Sequence, residues 1–354
     1  MEFLYEYGLF FAKALTFVAA ILAIIVTAVT LAAKQKAQAG ELVITDLSEQ
    51  LDDNKKQFEE QLLSDSALKE RQKADKKAAK EKAKADKQAA KVAKQNHQDL
   101  PEETKPHLYV IDFKGSIDAK EVGALRQEVT AILGVAKTTD EVLVRLESGG
   151  GMVHGYGLAA SQLQRLRDKR IPLTVAVDKV AASGGYMMAC VAPKIIAAPF
   201  AILGSIGVLA QIPNFNRLLK KHDVDFEQMT AGEFKRTVTM FGENTEKGKE
   251  KFQQELEETH VLFKQFVAGN RPKLEIDQVA TGEHWYGQQA IDLNLIDQIQ
   301  TSDDYLLEQN KDKKVVSVKY TVKKKLADKI AHGASMAIER SVMKLWQQGQ
   351  IPFK

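Results

Sequence analysis

From His107 onwards the sequence alternates short β-branched apolar runs with stretches of helical spacing, and that alternation leaves few folds open. Leu108-Tyr109-Val110-Ile111-Asp112-Phe113 reads as a strand. Asp118 to about Leu133 carries Val122, Leu125, Val129 and Leu133 at helical spacing. Glu141-Val142-Leu143-Val144-Arg145-Leu146 is a second strand, ending in Glu147-Ser148-Gly149-Gly150-Gly151. A helix from about Tyr156 to Arg167 follows, then the buried strand Pro172-Leu173-Thr174-Val175-Ala176-Val177. Strands separated by helices pair in parallel, because a parallel crossover needs a dozen residues or more and a helix supplies them. The expected class is therefore α/β. In such sheets chemistry gathers at the carboxyl ends of the strands, where the triple glycine and Ser183 both fall.

Asp178-Lys179-Val180-Ala181-Ala182-Ser183-Gly184-Gly185-Tyr186 joins that last strand to an apolar helix, Tyr186 to Ala192. Two glycines after Ser183 let other backbone come close. The free N–H groups of a helix start can stabilise an oxyanion. An N-cap serine is the plainer role for the same residue. Downstream lie the short strand Lys194–Ala198, the glycine-punctuated Ile202–Leu209, the segment Ala231-Gly232-Glu233-Phe234-Lys235-Arg236, and a long charged helix from about Glu246 to Ala268.

The rest of the chain serves placement. Residues 14–33 are 20 positions without a charge, the length of one bilayer-spanning helix, so 1–35 is expected to be a membrane anchor. Ala37-Gln38-Ala39 has the small-x-small form of a cleavage site. The apolar run is too long for a signal peptide, however, and Lys34 and Lys36 intervene. Residues 36–106 read as a spacer: Lys69 to Lys94 holds 11 basic and 4 acidic residues among alanines, which favours a solvated helix. That tract is locally +7, so the formal +3 of the chain leaves about −4 for the remainder, which speaks against nucleic-acid binding. The lone Cys190 lies in an apolar run and has no intramolecular disulfide partner. Residues 107–303 are expected to be the catalytic domain, and 304–354 a basic amphipathic segment.

Four stretches in this order resemble the signal peptide peptidase A family of serine peptidases: Ser148-Gly149-Gly150-Gly151, Ala182-Ser183-Gly184-Gly185-Tyr186, Leu203-Gly204-Ser205-Ile206-Gly207-Val208, and Gly232-Glu233-Phe234-Lys235-Arg236. The resemblance implies the superhelix of parallel βα units seen in Clp proteases and crotonases. It makes Ser183 the nucleophile, Lys235 the general base 52 residues later, and Ser205 the residue that orients the lysine. It also assigns the oxyanion hole to the backbone N–H groups of Gly151 and Gly184. It implies a homo-oligomer in the bacterial inner membrane, single-pass, with the catalytic domain in the periplasm, acting on membrane-associated peptides such as signal-peptide remnants. The lysines that follow the apolar run favour the cytoplasmic side instead. Gly149 departs from the family, which often has proline there, so the turn is expected to be more flexible.

The chemistry of these residues is consistent. A serine hydroxyl needs a base to take its proton. A lysine serves only when neutral, which requires burial, and Phe234, Val238, Met240 and Phe241 lie close to Lys235 in sequence. Arg236 stays protonated and cannot substitute. His154, after the triple glycine, is the histidine best placed for a Ser-His arrangement. No His, Cys, Asp or Glu spacing suits a metal, and Gly204-Ser205-Ile206-Gly207 lacks the ending of a phosphate loop, so neither metal nor cofactor is expected. Two other classes share the fold: a non-catalytic scaffold that binds peptides, and an acyl-CoA enzyme of the crotonase type.

Overall fold

The computed structural model describes residues 40–64 and 105–322 continuously, with scattered residues between 8 and 17 and between 66 and 84. The chain divides into two compact units: Leu42–Lys319, and Met1–Glu41 with Tyr320–Lys354. In the latter, the Gly40 amide donates to the Tyr320 hydroxyl at 2.9 Å. Most of the expected anchor, and residues 323–354, lie outside the described residues. Among the described residues no helix is long and apolar enough to cross a membrane. Every described residue between 66 and 84 is helical, as the spacer composition suggests.

In chain order the elements are β1 (Glu41–Asp46), α1 (Leu47–Leu62), β2 (His107–Lys114), α2 (Val122–Val135), β3 (Glu141–Glu147), α3 (Val153–Asp168), β4 (Leu173–Val177), β5 (Val180–Ala182) and α4 (Gly184–Ala189). Then come β6 (Lys194–Ala197), β7 (Ile202–Gly204), α5 (Asn216–Lys221), α6 (Glu246–Asn270), α7 (Ile276–Val279), β8 (His284–Tyr286), α8 (Gly287–Ala290), β9 (Gln298–Ile299), α9 (Ser302–Gln309) and β10 (Lys314–Thr321). One sheet has seven strands in the order β1-β10-β2-β3-β4-β6-β9, and every pair from β10 to β9 is parallel. A smaller sheet, β5-β7-β8, stands at the carboxyl ends of the main strands, with β5 and β7 parallel and β8 antiparallel.

The strands read as near-continuous apolar runs because both faces of the large sheet are covered. Ile111, Phe113, Val142, Val144, Val175 and Val177 belong to one core, shared with Leu125, Val129, Leu163 and Met188 of the helices. The alternate residues Leu108, Val110, Leu143, Ala176 and Ile196 form a second core with Tyr305 and Leu306 of α9.

The folded unit is larger than the expected 107–303. β10 lies within the sheet, registering Lys314 against His107, so the strand ladder continues past residue 303. β1 and α1, inside the expected spacer, belong largely to the same compact unit. The helix expected from Asp118 starts at Val122, because Ser116 holds the loop before it: its N–H donates to Glu121 Oε2 at 3.0 Å. The strand leading to Ser183 is β5 rather than β4, separated from it by Asp178 and Lys179.

Candidate active site

Ser183 joins β5 to α4 with φ 51° and ψ −119°. For a residue with a Cβ such a backbone costs about 1–3 kcal/mol and persists only where the surroundings impose it. They do so here: the Ser183 N–H donates to Gly204 O at 2.8 Å, and its carbonyl accepts from Met187 N at 2.9 Å. Ser183 occupies the N-cap position, yet its hydroxyl makes no capping hydrogen bond. The side chain is half-buried and free for other work.

The triple glycine closes over this junction. Ser148 pairs with the β5 backbone, donating to Val180 O at 2.9 Å and accepting from Ala182 N at 3.0 Å. The chain then turns through Gly150 and Gly151 with φ 87° and 157°. A Cβ on Gly150 would meet Gly184 N at 2.6 Å and Ser183 Cβ at 2.8 Å, while one on Gly151 would lie 2.0 Å from Ile117 O. Only glycine permits that approach. Gly150 thus brings the glycine segment against Ser183 and Gly184, while its neighbour Gly151, expected with Gly184 to supply the oxyanion donors, packs on Ile117.

Sequence reasoning missed the side chains behind this turn. Tyr156, wholly buried at the start of α3, donates its hydroxyl to Ser116 O at 2.8 Å. Ser148 Oγ lies 2.6 Å from the same hydroxyl and accepts from Gly150 N at 3.1 Å. Burial raises the Tyr156 hydroxyl above its ordinary pKa, so it stays protonated. Gly115 and Gly184 carried the only sequence signal, since a Cβ at either would strike Tyr156.

Ser205, also at positive φ (50°), follows Gly204 on the strand that holds Ser183, and its N–H donates to Glu283 O at 2.7 Å. The carbonyl of the next residue, Ile206, takes a hydrogen bond from His260 Nε2 of α6 at 3.2 Å. A carbonyl only accepts, so that ring nitrogen carries the proton.

Lys235 lies in the segment between β7 and α6, where its N–H donates to Gly232 O at 3.2 Å. Among the described residues no hydrogen bond joins it to Ser183 or Ser205, and its side chain is exposed. It lines an open pocket of about 860 Å³ with Ile212, Phe226, Met229, Val238 and Phe241. The apolar surroundings expected to bury the amine are incomplete within one chain: Phe234, Met240 and Phe241 are each about 40% exposed (41%, 40% and 42%). The reason is local, since between β7 and α6 the only helix is the six-residue α5, which buries no side chain.

His154 is exposed and makes no hydrogen bond to Ser183. Cys190 is fully buried, which pushes its thiol up to about 12, so it is packing rather than a nucleophile. Among the described residues no group of His, Cys, Asp or Glu can hold a metal ion.

Two family models tile the chain, Peptidase family S49 N-terminal over residues 2–163 and Peptidase family S49 over residues 165–316. The second spans Ser183, Ser205 and Lys235. The "Probable protease SohB" of Haemophilus influenzae is 58% identical over 94% of this chain and 93% of its own length. A protein of the same name from Buchnera aphidicola of Acyrthosiphon pisum is 50% identical over 98% of each. "Protease 4" of Haemophilus influenzae is 27% identical over 57% of this chain and 34% of its own. Near full-length identity of this order makes the chain a serine-type peptidase belonging to peptidase family S49.

Proposed function

We propose that the chain is a membrane-anchored serine endopeptidase working through Ser183 and Lys235. The observation that carries this reading is Ser183 itself, a strained serine at a strand-to-helix junction, its hydroxyl unused as a cap, between two glycine segments. Lys235 takes the Ser183 proton as the hydroxyl attacks a peptide carbonyl. The oxyanion rests on the N–H groups of Gly151 and Gly184, Ser205 orients the amine, and water then hydrolyses the acyl-enzyme. The parallel βα series supports reading the fold as the Clp- and crotonase-like superhelix.

The exposure of Lys235 within a single chain supports a homo-oligomer, in which a neighbouring subunit covers its lobe and completes the dyad. Leu209 and Met229 of the same lobe, 78% and 90% exposed, point to the same missing cover. A monodisperse active monomer by light scattering would remove this part of the proposal. Residues 14–33 anchor the protein in the bacterial inner membrane with the catalytic unit in the periplasm, where its substrates are membrane-associated peptides such as signal-peptide remnants or misfolded envelope proteins.

The test is labelling of the detergent-solubilised full chain with a fluorophosphonate, comparing the parent with Ser183→Ala and Lys235→Ala. Labelling is expected for the parent and in neither variant. An assembled parent that stays unlabelled makes the chain a non-catalytic peptide-binding scaffold.

A further inference from the structure

We propose that Tyr156 is a positioning residue for both halves of the oxyanion hole: its hydroxyl, through Ser148, sets the Gly149–Gly151 turn, and its ring sets Gly184. The inference rests on reading Ser183 as the nucleophile, with Gly151 and Gly184 as the donors.

The direction of the hydrogen bonds follows from valence. Ser116 O can only accept, so the single Tyr156 proton is committed to it at 2.8 Å. Ser148 Oγ, 2.6 Å away, must then donate to Tyr156. That fixes the serine rotor and turns a lone pair towards Gly150 N–H, at 3.1 Å. The chain Gly150 N–H, Ser148 O–H, Tyr156 O–H, Ser116 C=O runs one way, and each bond polarises the next.

The turn needs this support. Gly150 and Gly151 are packed closely, but position 149 holds glycine, not the proline frequent in the family, and a Cβ there would have no atom within 4 Å, so packing does not hold the start of the turn. On its other side the Tyr156 ring stands against Gly184, where a Cβ would lie 2.4 Å from Cγ. Gly115 makes room beneath, with the Tyr156 hydroxyl 2.5 Å and Ser148 Oγ 2.8 Å from its own Cβ position. One wholly buried side chain therefore touches both segments that flank Ser183, which lie more than 30 positions apart.

Tyr156→Phe keeps the ring and deletes the hydroxyl, so it separates positioning from core packing. Fluorophosphonate titration counts the active sites, and peptide hydrolysis is then expressed per titrated site. The expected result is a kcat per site lowered by between about 10- and 100-fold, the scale of a displaced oxyanion donor, with KM nearly unchanged. Affinity for a peptide aldehyde, whose adduct carries the oxyanion, should fall with kcat/KM. Ser148→Ala should reproduce the loss, and the double variant should be no worse than either single one. Adding Gly149→Pro to Tyr156→Phe should recover part of the rate, because proline restores rigidity by another means. A kcat per site equal to the parent's, with only a lower melting temperature, would reduce Tyr156 to a core residue and overturn the proposal. A parent whose Ser183 takes no label overturns the underlying reading instead, and the two failures are thereby distinct.

Discussion

Gly185→Ala tests the approach of α4 to the glycine turn. Gly185 is inside a helix, and its φ lies outside the left-handed range, so nothing in its own backbone demands glycine. On helix propensity alone, alanine would stabilise by about 1 kcal/mol. The surroundings reverse the sign. The new Cβ would lie 2.4 Å from the Ser148 carbonyl oxygen and 3.3 Å from Ser148 Cβ, against 3.4 Å for the nearest ordinary contact. The carbonyl is backbone, tied to Ala182 N at 3.0 Å, and cannot swing aside. Relief requires the end of β3 and α4 to separate by about 1 Å, and overpacking of this kind costs about 1–3 kcal/mol. For a unit of this size, about 2–4 °C per kcal/mol turns that into a fall of roughly 2–12 °C in Tm. The same displacement moves Gly150 and Gly151 relative to Ser183 and should slow fluorophosphonate labelling by up to about 100-fold. Calorimetry and labelling kinetics on one preparation give both numbers. A variant with raised Tm and parental labelling would mean that the space beside Gly185 is open and that the close approach does not govern reactivity.

Two further outcomes follow from the same geometry. Glu141, 6% exposed, accepts from Thr174 Oγ1 at 2.7 Å and Tyr305 Oη at 2.5 Å and pairs with Lys313. Glu141→Ala should cost about 3–5 kcal/mol by stranding these partners; a melting temperature within 2 °C of the parent, on the scale of roughly 2–4 °C per kcal/mol, would refute it. The Cys190 thiol, pushed up to about 12, is neutral at pH 8 and buried, so iodoacetamide should modify it only after unfolding; rapid alkylation of the native protein at about pH 8 would contradict that placement.

How much of this was legible depended on the range of the interactions. β2, β3 and β4 could be read because residues packed on both faces leave unbroken apolar runs. The Ser183 junction could be read because its glycines announce close backbone. β5, β7 and β8 could not: each has three residues, too few for any period to show. β10 carries alternation in Val316-Ser317-Val318-Lys319-Tyr320, but the lysines around it hid a strand that sits inside the sheet. The Tyr156 chain was illegible for a different reason, since it joins residues 40 positions apart through a backbone carbonyl that has no identity in the sequence. The lobe carrying Lys235 gave a motif without a location, because its apolar side chains have too few partners within one chain to bury them.

The place of β10 beside β2 has a consequence for how the protein is made. Lys314 registers against His107, so the edge of β2 that faces β10 has its partner only after another 207 residues have been added. At roughly 5–20 residues per second, a ribosome takes on the order of 10 to 40 s to supply them. Through that interval the nascent chain presents an unpaired edge strand, open to its neighbours on the polysome.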